Sequence, residues 1–151
     1  MRQASLEDVD ALVELMADFY SESDYALNRE RAHRAFSALL EDPSLGRVWL
    51  IDQDAADVGY VVATFVFAME YGGSIAFVDD FFVRPESRNS GLGTAALEAV
   101  RDQCALLGVR AMSVEVAEDN GAAQAVYRHT GFEISDRKLM MVPLAAPTHE
   151  R

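Results

Sequence analysis

A strand-like run over residues 77–83 leads into Arg88-Asn89-Ser90-Gly91-Leu92-Gly93, and a strong helical pattern over residues 94–107 follows. Any fold for this chain must therefore carry a strand, a glycine loop and a helix in close succession. Gly91 and Gly93 let the backbone approach a ligand closely. The helix start adds unpaired N–H groups and the positive end of a dipole, and Arg88 adds a full positive charge. Such a unit is suited to a phosphate. The dinucleotide fingerprint is excluded, because Ala96 stands where a third glycine belongs and no acidic strand end follows about 20 residues on. A Walker loop is excluded because the only lysine is Lys138.

What remains is Arg-x-x-Gly-x-Gly after a strand that ends Val83-x-Pro85. A second pattern lies further on: Asn120, Ala123 and Tyr127, then Gly131-Phe132. Asn120 and Tyr127 are seven residues apart, two helical turns, so they share one face. Together the two patterns resemble the pyrophosphate loop and the N-x-x-A-x-x-x-Y-x-x-x-G-F motif of the GNAT superfamily, the acetyl-CoA-dependent N-acetyltransferases. The resemblance covers nearly the whole chain, with its specific motifs between residues 77 and 132. It implies an α/β fold: a mixed, mostly antiparallel sheet of six to seven strands, about four helices on both faces, and a splay between the fourth and fifth strands that admits acetyl-CoA. Those strands would be residues 74–83 and 112–116. By the same resemblance the co-substrate is bound by Arg88, Asn89, Ser90, Gly91, Leu92, Gly93 and Thr94 at the loop, by the backbone of Phe81, Phe82 and Val83, and by Asn120, Ala123 and Tyr127.

With 13 basic and 25 acidic residues the formal net charge is −12, which argues against a nucleic-acid surface and suits a cationic ligand. No apolar run reaches 18 residues and no charged-then-apolar leader is present, so neither a membrane nor export is expected. The single cysteine, Cys104, rules out an internal disulfide and fits a cytoplasmic setting. His33, His129 and His149 have no metal-ligand spacing, and no metal is expected. Half of the 151 residues are hydrophobic, enough for one domain over residues 1–144, with residues 145–151 as a flexible tail.

The periodicity predicts a short strand at residues 2–4, then a capping box from Ser5 to Asp8 and a helix to about Tyr20. A polar loop spans residues 21–28, and a second helix runs over 29–40 until Asp42-Pro43 stops it. Strands at 47–51, 58–68 and 74–83 form an antiparallel meander. The helix after the glycine loop ends near Gly108, residues 112–116 form a short strand, and Asn120 caps a last helix that Gly131 ends. Two closing strands are expected at residues 132–135 and 139–142.

Acyl transfer to an amine needs a neutral nucleophile, a polarised thioester carbonyl and a proton for the departing thiolate. An alkylammonium with a pKa near 10.4 must lose a proton first. Asp79 and Asp80 sit at the strand end, on opposite faces by alternation. The run Asp79-Asp80-Phe81-Phe82-Val83 resembles the acidic, aromatic strand of polyamine and related small-amine acetyltransferases, where the first acid is usually Glu. Carried over, that base is Asp79, acting through a water because its side chain is one methylene shorter. The resemblance makes Tyr127 the acid that protonates the thiolate, and a backbone N–H near Phe82 or Val83 the group that polarises the carbonyl. Glu115 is the reserve base, and Asp80, Glu22 and Tyr71 are candidates for the amine pocket. Three readings stand: small-molecule amine acetylation, protein N-terminal or lysine acetylation, and a non-catalytic acyl-CoA sensor. Residues 139–144 offer an apolar end for a homodimer.

Overall fold

The segment 46–83 is largely apolar on both of its alternating sets of side chains, so a sheet made from it has to be covered on both faces. The structure, a computed structural model that describes residues 1–150, covers it with helices on each side. In chain order the elements are β1 (Arg2–Gln3), a 3-10 turn (Leu6–Asp8), α1 (Val9–Ser21), β2 (Ala26–Leu27), α2 (Arg29–Glu41), β3 (Gly46–Gln53), β4 (Ala56–Ala68), β5 (Gly73–Val83), a second 3-10 turn (Pro85–Ser87), α3 (Leu92–Leu106), β6 (Met112–Val114), α4 (Gly121–His129) and β7 (His149–Glu150). The main sheet runs β1-β3-β4-β5-β6, antiparallel except for the parallel pair β5 and β6.

Local chemistry sets the boundaries. The Asp8 carboxylate accepts the Ser5 N–H at 2.8 Å and pairs with Arg2 at 2.7 Å, which fixes the entry to α1. Asn28 and Asn120 accept the N–H groups of Arg31 and Ala123 at 3.0 and 3.1 Å, capping α2 and α4. Gly131, at φ +100°, takes the left-handed conformation that ends α4.

Strand alternation then divides the core in two. Val48, Leu50, Tyr60, Val62 and Phe82 meet α1 and α2 through Leu12, Leu15, Met16 and Phe36. Trp49, Ile51, Val61, Ala76 and Val78 meet α3 through Ala96, Leu97, Val100 and Cys104. Burial of each large side chain here contributes about 1.5–3 kcal/mol. The buried Trp49 indole N–H is satisfied by Gln103 at 2.8 Å, which ties α3 to β3.

Two expectations fail. Residues 132–135 and 139–142 form no strands, so the main sheet has five strands, not six or seven. A ladder there would have only Met112–Val114 as a partner edge, and Phe132 is already committed: its N–H bonds Tyr127 O at 2.9 Å and its ring meets the Tyr127 ring at 5.6 Å. The tail expected over residues 145–151 instead returns, over its described part, to the polar loop after α1, where His149 and Glu150 pair with Leu27 and Ala26, and residue 151 lies outside the described residues.

Candidate active site

The parallel ladder between β5 and β6 is short. It pairs Ala76, Phe77 and Val78 with Met112, Ser113 and Val114 and then stops, so the second half of β5 has a partner on its β4 side only. This is the expected splay. It begins at a β-bulge: Ala63 pairs with Val78 and Val62 with Asp80, leaving Asp79 as an extra residue on β5. Strict alternation would have put Asp80 on the face of Val78. The bulge shifts the phase, so Asp80 joins Tyr60 and Phe82 on the α1–α2 face, while Phe81 and Val83 take the α3 face.

The backbone follows the same phase. The Arg84 N–H donates to Val58 O at 2.8 Å, toward β4. By alternation the Phe82 and Asp80 groups also turn to β4, and the N–H groups of Phe81 and Val83 turn into the gap. Val83 O lies on the gap side too, where Arg88 Nε donates to it at 2.7 Å. Of the two N–H groups expected to be available near the carbonyl, Phe82 is therefore engaged by the sheet and Val83 is open.

Asp80 is the most perturbed carboxyl of the site. Burial pushes its pKa up to about 7, with the Tyr60 hydroxyl, donating at 2.8 Å, pulling down and the neighbouring Asp79 charge pushing up. Asp79 is solvent-exposed in the bulge, yet its surroundings desolvate the carboxyl enough to raise its pKa as well. Among the described residues neither carboxylate has a basic partner. Tyr127 is 8% exposed, with its ring 6.0 Å from Phe81. Burial, assisted by Asp80, pushes its phenol up to about 12, so the group keeps its proton throughout the neutral range.

The glycine loop stands at the other end of the gap. Gly91 adopts φ +82°, the left-handed conformation that favours glycine, and a Cβ on Gly93 would come 3.1 Å from Phe81 Cζ, so Gly91 permits the turn into α3 and Gly93 the close approach of α3 to β5. Among the described residues, none of the backbone N–H groups from Asn89 to Thr94 meets a backbone acceptor. Arg88 does not reach out as a free charge: besides Val83 O it pairs with Glu22 at 2.6 Å and lies over the Phe82 ring. It clasps the loop to the end of α1. Glu22, expected at the amine pocket, is the other half of that clasp.

The remaining candidates are dispersed. Tyr71 sits at the β4–β5 turn, beside a Glu70 that pairs with Arg137 at 2.9 Å. Asp79 lies eight residues along, roughly 25 Å at about 3.3 Å per residue. Glu115 would face Asp79 if the ladder continued, but the pairing ends at Val114 and Glu115 is exposed on the outer groove. Asn120 uses its side-chain oxygen on the Ala123 N–H, so Ala123 offers no free donor. Cys104, on the inner face of α3, is 1% exposed, with its thiol pushed up by burial. Sequence reading missed Tyr60 and Tyr20. Tyr60 was detectable in principle as a phenol inside an apolar strand, where a buried hydroxyl must find a partner.

The profile of the acetyltransferase (GNAT) family matches residues 9–132. The chain belongs to the GNAT acetyltransferase family. An integron cassette protein from the mobile metagenome of Cole Harbour Salt Marsh is 50% identical, with 97% of this chain and 91% of that chain covered and a TM-score of 0.91. A predicted acetyltransferase from Clostridium acetobutylicum, solved with acetyl-CoA, is 17% identical over 93% of this chain and 94% of that one, with a TM-score of 0.79. The aminoglycoside N-acetyltransferase AAC(6')-Iy in complex with CoA is 18% identical over 95% and 93%, with a TM-score of 0.80. No curated protein matches the sequence.

As a GNAT acetyltransferase the chain takes its acyl group from acetyl-CoA. The residues present fit that co-substrate. The unbonded N–H groups at the start of the 15-residue α3 suit a pyrophosphate, and the half-paired β5 leaves backbone donors for the thioester end.

Proposed function

We propose that this GNAT enzyme transfers the acetyl group directly to the primary amine of a small cationic molecule, a polyamine or a chemical relative, in the cytoplasm. The observation that carries this reading is the pair Asp79 and Asp80, two neighbouring carboxylates at the splay without a basic partner, one of them with a pKa of about 7. An alkylammonium supplies the missing charge. An aminoglycoside, the acceptor class in the name of one structural neighbour, belongs to the same chemistry.

In this mechanism Asp80 takes the ammonium proton. The base role expected at Asp79 is better supported at Asp80, which is held by Tyr60 and titrates near neutrality; Asp79, at the solvent side, draws the cation in and raises its neighbour's proton affinity. An ammonium of pKa near 10.4 would give up its proton to such a carboxylate reluctantly in water, and desolvation in the site lowers that value. Acetyl-CoA supplies the activated acyl carbon. The Val83 N–H polarises its carbonyl, the amine nitrogen bonds to the carbon as the C–S bond breaks, the Tyr127 phenol gives its proton to the sulfur, and the proton that the nitrogen sheds as the amide forms restores the phenol. Cys104, sealed in the core, takes no part.

A thiol-release assay with acetyl-CoA tests this across polyamines, aminoglycosides, amino acids and lysine peptides. Turnover with the small polycations is expected. Turnover with peptides alone makes the chain a protein acetyltransferase, and a thermal shift with acetyl-CoA but no turnover anywhere makes it a sensor. The proposal extends to a homodimer formed through residues 139–144, whose Met140 and Leu144 are 92% and 95% exposed; sedimentation tests it.

A further inference from the structure

The C-terminal segment returns to the loop after α1 and is held there by bonds that span most of the chain. The Asn28 N–H donates to Thr148 O at 2.7 Å, Arg31 Nη1 donates to Pro147 O at 2.9 Å, and β7 pairs with β2. These bonds set the His149 imidazole 4.5 Å from the Tyr25 ring and edge-on to Tyr20 at 5.0 Å. Tyr20 connects this end to the chemistry. Its phenol is pushed up by burial and by the charges of Asp80 and Asp79, and its ring meets Phe19, which stacks on Phe82 of β5 at 5.3 Å.

An aromatic wall thus runs from the splayed strand through Phe82, Phe19 and Tyr20 to Tyr25 and His149. The donor-binding parts, namely the glycine loop, the gap-facing backbone of β5 and Tyr127, lie on the α3 side of the sheet. Asp80 lies on the other side of the sheet, the α1–α2 side, which is also the side of this wall. One further observation singles out its last member. Among the described residues, His149 Nδ1 is the one buried side-chain polar atom without a hydrogen-bond partner. Leaving such an atom unmet is costly, and an incoming polar group relieves the cost.

We propose that Pro147–His149 is a strap that forms the acceptor-side wall of the active site, with His149 as a specificity-determining residue that hydrogen-bonds a polar group of the acceptor through Nδ1. The inference rests on the placement of the acceptor at Asp79 and Asp80. Among the described residues no hydrogen bond or ring contact joins Pro147–His149 to the glycine loop or to Tyr127, so the strap acts on the acceptor and not on acetyl-CoA.

Two variants of the full-length protein test this, His149→Ala and a chain that ends at Ala146. With the best acceptor from the panel, both are expected to raise its KM about fivefold or more while kcat and the acetyl-CoA thermal shift change less than about twofold. A binding readout accompanies the kinetics: with three histidines in the chain, the His149 imidazole resonance is assignable by comparison with His149→Ala, and it should move when acceptor is added without acetyl-CoA. An unchanged acceptor KM in His149→Ala together with an unmoved His149 resonance overturns the inference. A truncated chain that loses its acetyl-CoA thermal shift also overturns it, because the strap would then be part of the general scaffold. If the wild-type chain acetylates no small amine at all, the proposed function fails instead, a result distinct from either.

Discussion

Replacing Tyr60 by Phe removes one hydroxyl from a fully buried ring and asks whether Asp80 is the proton acceptor. The Tyr60 ring is 0% exposed and its O–H donates to Asp80 at 2.8 Å, so the substitution keeps the packing and deletes one hydrogen bond. That bond favours the ionised carboxylate, and its loss makes Asp80 hold its proton to higher pH. A hydrogen bond to a charged group contributes about 1.5–3 kcal/mol, and about 1.4 kcal/mol corresponds to one pKa unit. Asp80 should therefore move from about 7 upward by roughly one to two units.

The ionised fraction at pH 7 then falls from about a half to between about a tenth and a hundredth, so kcat/KM at pH 7 drops roughly 5- to 50-fold and recovers as the pH rises above 9. The assay is thiol release with one fixed acceptor from pH 5.5 to 10. Because the acceptor's own ammonium titrates identically with both proteins, only the displacement of the acidic limb between them counts. A uniform loss at every pH, with the limb unmoved, refutes the reasoning: Tyr60 would then position the strand without tuning the base.

Other outcomes follow from the same structure. Asp80 carries a folded-state pKa above its ordinary value of 3.8, so the stability linked to its protonation is present below about pH 4 and is lost as the pH rises through about 7. Asp80→Asn should thus be inactive yet more stable than the wild type at pH 8, by up to about 4 kcal/mol, with no gain at pH 4, as denaturant titrations will show. Asp8 is the opposite case: Arg2 and the Ser5 N–H hold its pKa down at about 2, so its contribution is present above about pH 4 and lost as the pH falls to 2. Asp8→Asn should cost about 2 kcal/mol at pH 7, seen as a drop in Tm of roughly 4–8 °C, and nothing at pH 2. Tyr127→Phe should lower kcat by about 10²-fold or more with the acetyl-CoA thermal shift intact, because the ring packing against Phe81 and Phe132 survives. Arg88→Ala and Glu22→Gln should each weaken acetyl-CoA binding, and the double variant should be no worse than Arg88→Ala alone, since the two side chains form one clasp; additive losses in calorimetry would show separate roles.

Much of the fold was legible because its determinants are local. Periods of two and 3.6 in the apolar residues, the asparagine cap at Asn120, and the helix-ending glycine at 131 identify the meander and the helices within a few residues. The failures are all matters of tertiary pairing. Residues 132–142 carry strand-like composition, but a strand needs a free edge, and β6 offers three residues. Arg88 and Glu22 read as a phosphate ligand and an amine ligand because each was weighed against absent ligands and not against the other, 66 residues away. His149 carried no signal at all, since its place depends on where residues 133–147 travel.

The bulge at Asp79 shows why the chemistry itself was only half readable. Residue types alone place two carboxylates at the end of a strand, and strict alternation sends them to opposite faces. One inserted residue changes what that alternation means downstream: it moves Asp80 onto the face of Tyr60 and turns the Phe81 and Val83 N–H groups into the gap. The same irregularity lies where β6 parts from β5, because the parallel ladder ends at Val78, one residue before the bulge. A buried, tyrosine-bound carboxylate and an unpaired backbone donor are therefore two consequences of a single register shift. A regular ladder that kept residue 79 in the pairing would remove both at once, since it would place Asp80 on the face of Val78 and turn the Val83 N–H toward β4.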